Sequence, residues 1–151
     1  KSGQIQVMSA GSGITHSEYN LSDEDTLLFQ IWIEPNKCDL SPNWENIDLS
    51  SKSSEKISIL ASGKEKYKKL DILRINQDAS LIRISENNNQ TLNYEFYKDR
   101  HAYFVLSKGK ILINGIEINE RDGVHLSRLK DFTIDFMESS EIIFVDLPLI
   151  N

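Results

Sequence analysis

Short runs of alternating apolar and polar residues dominate the second half of the chain, a pattern typical of β-strands. Phe132, Ile134 and Phe136 alternate with other side chains, and neighbouring residues of a strand face opposite ways. Similar runs recur from residue 79 onward, separated by turn signals, which favours an antiparallel barrel or sandwich. Because no long helical pattern occurs, we predict an all-β fold. The predicted strands here are residues 81–84, 92–97, 102–106, 110–113, 116–118, 132–137 and 142–147.

The strongest turn signal is Asn114-Gly115, between two of these strands. A type I′ turn requires positive φ at both central positions, and Asn followed by Gly meets that requirement at low cost. We therefore predict a hairpin that joins residues 110–113 to residues 116–118.

The first part of the chain has fewer strand patterns. We predict three strands, at residues 4–10, 16–19 and 26–33, followed by an irregular stretch over residues 36–55. Further strands are expected at residues 57–61 and 70–75. Three strands are too few to close a barrel, and open strand edges must be paired or covered. Three solutions are expected: the strands pack on the C-terminal barrel, exchange between two copies to give a homodimer, or pair with an upstream segment supplied elsewhere.

A candidate metal-binding pair follows a turn that is rich in small residues. Gly11 and Gly13 permit positive φ, and His16 and Glu18 come directly after them. Two residues apart in a strand, these side chains would point the same way, and imidazole and carboxylate groups are both metal ligands. The motif H-x-E is unspecific by itself, because such pairs also occur by chance as hydrogen-bonding surface residues.

The residues around this pair resemble the pirin family. The resemblance is carried by residues 6–20 (Gln-Val-Met-Ser-Ala-Gly-Ser-Gly-Ile-Thr-His-Ser-Glu-Tyr-Asn) and 28–35 (Leu-Phe-Gln-Ile-Trp-Ile-Glu-Pro). It implies a bicupin with two jelly-roll-like β-barrels. In the family's N-terminal cupin, an H-x-H motif and an H-x-E motif hold one metal, usually iron. His16 and Glu18 match the second motif, whereas the H-x-H motif has no counterpart.

The same resemblance predicts the domain organisation. Residues 1–35 correspond to the last strands of an N-terminal cupin, residues 36–55 to the linker, and residues 56–151 to the whole C-terminal cupin. The N-terminal cupin is accordingly expected to be incomplete in this chain.

Two functions follow from the resemblance as expectations. The first is a quercetin 2,3-dioxygenase-type oxygenase that acts on a flavonol, with His16 and Glu18 as metal ligands and Glu18 also as the catalytic base. Without H-x-H, metal occupancy and enzyme activity of the chain are expected to be low. The second is a metal-free β-barrel that binds a protein partner, in the manner of a pirin-like co-regulator.

Composition limits which partners the protein can bind and which cellular compartment suits it. The formal net charge is -6, which argues against a nucleic-acid surface, since such a surface is basic. Cys38 is the single cysteine, so an internal disulfide is excluded and a reducing compartment such as the cytoplasm is predicted. No apolar run is long enough to span a membrane. The basic run at residues 64–69 is interpreted as a solvated loop.

The remaining histidines and the tryptophans are given structural roles. His101 and His125 belong to neither motif and lie in the predicted second barrel, where we expect unrelated surface or partly buried histidines. Trp32 and Trp44 are expected to pack in the core and linker, with the border of the cupin cavity as an alternative for Trp32.

Overall fold

A computed structural model describes residues 3–49, 55–96 and 100–149 and confirms the all-β prediction. Over these residues the backbone forms twelve strands and one 3-10 turn at Glu65–Tyr67. None of the described helical turns has the length and apolarity needed to cross a membrane. The strands are β1 (Gln4–Ser9), β2 (Asn43–Asp48), β3 (Ile57–Ser62), β4 (Leu73–Arg74), β5 (Ser80–Glu86), β6 (Gln90–Glu95), β7 (Arg100–Lys108), β8 (Lys110–Ile113), β9 (Ile116–Asn119), β10 (Gly123–Ser127), β11 (Asp131–Phe136) and β12 (Ser140–Pro148).

Strands β3 to β12 form a sandwich of two sheets. One sheet has the order β10-β7-β12-β5-β3-β4, and the other has the order β6-β11-β8-β9. All pairings in them are antiparallel except that of β3 with β4. The core between the sheets is filled by apolar side chains from both of them: Ile82, Ile84, Ala102, Phe104, Leu106, Ile111, Ile113, Ile118, Leu126, Phe132, Ile134, Phe136, Ile142 and Phe144.

The predicted hairpin is present. Asn114 has φ +48° and Gly115 has φ +81°, as a type I′ turn requires. Ile113 pairs with Ile116 across the turn, so the turn sets the register of β8 and β9.

The N-terminal part differs from the prediction in two ways. Strand β2 lies within the stretch expected to be irregular, where it pairs with β1 from Gln4↔Asp48 to Ser9↔Asn43. The strands predicted at residues 16–19 and 26–33 are wrong, since no strand is formed there. A strand needs a neighbour for its backbone hydrogen bonds, and apolar composition does not supply one. Residues 50–54 of the predicted linker and residue 97 of the strand predicted at 92–97 lie outside the described residues.

The predicted packing of the tryptophans is also wrong. Trp32 exposes 88% of its surface and Trp44 exposes 54%. Trp44 lies on β2, which belongs to a two-stranded ribbon rather than to the sandwich. A ribbon of two strands has too little neighbouring surface to bury a side chain of this size.

A loop of the sandwich holds the N-terminal segment in place. The Asn76 side-chain amide donates to Ser9 Oγ at 3.1 Å, and the Asn36 backbone N–H donates to the Asn76 carbonyl at 2.8 Å. Gln77 Nε2 donates to the Glu34 carbonyl at 2.8 Å. These contacts bring residues 31–34 against the outer face of the six-stranded sheet.

Candidate functional site

The turn before the predicted metal-binding pair is tied to a distant part of the chain. The Ser12 N–H donates to the Leu40 carbonyl at 2.9 Å, and the Gly13 N–H donates to the Ala10 carbonyl at 2.8 Å. Gly11 has φ +52°, and a Cβ there would lie 1.9 Å from the Leu40 carbonyl oxygen. Glycine is therefore required at position 11 for both conformation and space.

His16 and Glu18 lie on an exposed, irregular segment beyond this turn. Because this segment is not a strand, the alternation of side chains that was expected to point His16 and Glu18 the same way does not apply. Their assignment as metal ligands stays a prediction.

Their chemistry fits part of a metal site. Imidazole nitrogen and carboxylate oxygen suit divalent first-row metals such as iron. In the part of the chain that the structure describes, no three His, Cys, Asp or Glu side chains come close enough to hold an ion. His16 and Glu18 would thus supply two ligands of a larger set, and these residues alone do not make a complete centre.

The structure brings together two histidines that no sequence motif connects. His101 on β7 and His125 on β10 approach each other, with His101 Nδ1 at 3.1 Å from His125 Nε2. Tyr103 lies parallel to the His125 ring at 4.3 Å between centroids. Strand β10 was absent from the sequence prediction, so its pairing with β7 could not have been used to place these rings side by side.

His101 is the more enclosed of the two histidines. Burial lowers its pKa from the ordinary histidine value, and the nearby His125 lowers it further. A hydrogen bond from the His101 ring to the Pro148 backbone carbonyl opposes this shift. The lowered pKa favours the neutral form of the His101 ring.

A shallow cleft of about 270 Å³ lies beside His101. Its walls are formed by the tethered N-terminal segment and by the outer face of β7 and β12. The lining residues are mostly apolar: Ile31, Trp32, Ile33, Glu34, Gln77, His101, Tyr103, Val145, Leu147 and Pro148.

A network of buried charges lies within the sandwich. Asp146 on β12 accepts hydrogen bonds from Lys64 Nζ and from Arg100 Nε. Arg100 Nη1 also donates to Asp78 Oδ2 at 3.1 Å. Lys64, Arg100 and Asp146 are all buried, so the prediction of a solvated loop is wrong for Lys64. Its burial is tolerated because Asp146 supplies an opposite charge.

Burial shifts the pKa of Lys64 and of the neighbouring Tyr94 away from their usual values. Burial lowers the pKa of Lys64, and its hydrogen bond to Asp146 opposes that effect. Burial, followed by the Asp146 charge, raises the pKa of Tyr94 well above its ordinary value. Tyr94 packs edge-to-face on Phe144 at 4.8 Å between centroids, so the network adjoins the apolar core.

Comparison with known families identifies both parts of the chain. Residues 59–147 match the family described as the quercetinase C-terminal cupin domain. Residues 1–33 match the family described as pirin. The two-sheet sandwich is thus a cupin, of the jelly-roll-like class. The chain belongs to the pirin family.

Relatives from several bacteria agree with this assignment. A pirin-like protein of Caulobacter vibrioides is 39% identical over 145 residues, which cover 95% of this chain and 62% of that protein. The quercetin 2,3-dioxygenase of Escherichia coli is 29% identical over 147 residues, which cover 97% of this chain and 62% of that enzyme. The chain therefore spans about three-fifths of the length of these relatives.

A solved structure gives the same result for the fold. The crystal structure of the bacterial pirin YhhW of Escherichia coli, in complex with nickel(II), superposes with a TM-score of 0.89 at 29% identity. The match covers 98% of this chain and 62% of that one.

Proposed function

We propose that the protein is a metal-dependent oxygenase of the quercetin 2,3-dioxygenase type, with His16 and Glu18 as two ligands of a divalent metal, most simply iron. One observation carries this proposal: the pirin match over residues 1–33 includes the H-x-E pair. Relatives that bear the dioxygenase name, and a related pirin in complex with nickel, support it.

The proposal gives each residue a distinct role. His16 serves as a neutral imidazole ligand. Glu18 serves as a carboxylate ligand and as the base that accepts the hydroxyl proton of a flavonol, a role that requires it to lie within hydrogen-bonding reach of that hydroxyl. A bound metal would supply the site where flavonol and dioxygen react.

We also propose the domain division into residues 1–35, 36–55 and 56–151. Support comes from the two family matches, over residues 1–33 and 59–147, which fall within the first and the last of these ranges. Strand β2 lies within the proposed linker, and it pairs with β1 of the first unit. Part of the linker is therefore ordered on the first unit. A cytoplasmic location stays a prediction from the single cysteine.

Turnover of quercetin tests the oxygenase. With Fe²⁺ and air, we expect low turnover by this chain, because its described residues offer two metal ligands of a larger set. His16→Ala and Glu18→Gln should abolish that turnover. Glu24→Gln, which changes an exposed carboxylate in the same segment, should leave it unchanged. Turnover that survives in both His16→Ala and Glu18→Gln would exclude this pair as the catalytic site.

A second candidate function is a metal-independent interaction module. It is favoured by the apolar side chains that the N-terminal segment exposes, among them Leu21 at 97%, Leu27 at 86% and Trp32 at 88%. Clustered exposed apolar side chains often mark protein-binding surfaces. A second copy of this chain, exchanging its N-terminal segment, would cover them. Light scattering should then give twice the chain mass of 17.3 kDa, and a monomer would contradict the exchange.

A further inference from the structure

The pairing of β10 with β7 places two imidazoles on the same face of the sheet. His125 lies opposite Tyr103, and Ser127 lies opposite His101. His101 and His125 are therefore diagonal neighbours across the two strands, a relation within reach of long and aromatic side chains. Neither ring belongs to the H-x-E pair, and the inference below does not depend on the proposed oxygenase.

The separation of the two ring nitrogens is that of two ligands of one metal ion. A Zn²⁺–imidazole bond is about 2.0–2.1 Å long, so two such ligands at a tetrahedral or right angle lie about 2.9–3.4 Å apart. His101 Nδ1 and His125 Nε2 are 3.1 Å apart. An ion could thus replace the contact between the nitrogens if the rings tilt, without movement of either strand.

Both rings also contact Tyr103. The His101 ring meets the Tyr103 ring edge-on, at 6.1 Å between centroids. His125 is stacked on Tyr103, with an angle of 6° between the ring planes. Because His125 is exposed, an ion can approach from solvent and keep water in its remaining positions.

We propose that His101 and His125 form a two-histidine site for a late first-row divalent ion, namely Cu²⁺, Ni²⁺ or Zn²⁺. Imidazole is a favourable ligand for each of them, and affinity should be highest for Cu²⁺. With two protein ligands, the site binds reversibly and exchanges its ion with the medium.

Calorimetric titration with Zn²⁺ at pH 8 tests the site. His101→Gln and His125→Gln should each weaken binding by at least about tenfold, a loss typical of a disrupted metal site. The double variant should lose little more, because the two residues share one ion. His16→Ala should retain this binding, which separates the site from the predicted His16–Glu18 pair.

Melting temperatures with and without Zn²⁺ show whether a variant that loses binding is still folded. In a His16→Ala background, Zn²⁺ should raise the melting temperature of the protein and of the exposed control Glu24→Gln, whereas it should leave that of His125→Gln unchanged, since ligands stabilise the state that binds them. His125 is exposed, so its replacement should not impair folding. Unchanged Zn²⁺ affinity in both single variants would overturn the proposal, and so would a loss confined to one of them; the pair would then be a hydrogen bond only.

Discussion

At the scale of single residues, Asp146 is the anchor of the charges inside the sandwich. Its two carboxylate oxygens face two different cations, Lys64 and Arg100. Both cations are buried, so neither can obtain enough compensation from water if the carboxylate is removed. The network joins the loop after β3 to β7 and β12, and its loss should loosen that end of the sandwich.

Asp146→Asn should therefore destabilise the fold strongly. It leaves Lys64 buried without its negative partner and leaves Arg100 with Asp78 alone, and breaking a buried ion pair in this way costs about 3–5 kcal/mol. Chemical denaturation measures the free energy of unfolding. Glu117→Gln is the matched control, because Glu117 pairs with Lys110 at the surface; it should change stability by less than about 1 kcal/mol. Equal effects of both substitutions would contradict the role given to the network.

Two glycines provide a second test at this scale. A Cβ on Gly63 would lie 1.9 Å from the Gln77 carbonyl oxygen, whereas a Cβ on Gly123 would meet nothing within 4 Å. Gly63→Ala should cost about 2–3 kcal/mol through overpacking. Gly123→Ala should be neutral or stabilising by up to about 1 kcal/mol. Similar free energies of unfolding for the two variants would show that the loop at Gly63 relaxes freely.

At the scale of elements, the last described strand of the chain is central in space. Strand β12 lies between β7 and β5, and Ile142 and Phe144 on it are 1% exposed. The β1–β2 ribbon has the opposite position, since it forms a sheet of its own. An isolated two-stranded ribbon is marginally stable in water.

Native-state hydrogen exchange should separate these two elements. Amides of β12 should exchange only through global unfolding. Amides of β1 and β2 should exchange through local opening at lower free energy, because regions with fewer buried contacts open more easily. Peptide-resolved mass spectrometry measures both. Equal protection of β1 and β12 would mean that the ribbon is as stable as the sandwich.

At the scale of the whole molecule, the sequence predicted the second half well and the first half poorly. Phe132, Ile134 and Phe136 alternate in the sequence and are buried, as expected. Residues 26–33 have an apolar composition that resembles a strand, yet they form none, because a ladder depends on a neighbouring strand and not on composition. The histidine pair could not be predicted, since it arises from the register of β10 on β7.

The candidate site was predictable from the pirin resemblance and not from periodicity. His16 and Glu18 were chosen from a motif, and the strand expected to align them is not formed. The family match over residues 1–33 supports the motif. The proposed oxygenase therefore depends on metal binding by His16 and Glu18.

The most direct measurement is iron content at equilibrium, by elemental analysis after anaerobic dialysis against Fe²⁺. The starting protein is His101→Gln/His125→Gln, which removes the second candidate site. We predict weak but saturable iron binding that disappears when His16→Ala or Glu18→Gln is added and persists when Glu24→Gln is added. No bound iron in the starting protein, or iron that is retained without His16 and Glu18, would contradict the assignment of this pair as metal ligands.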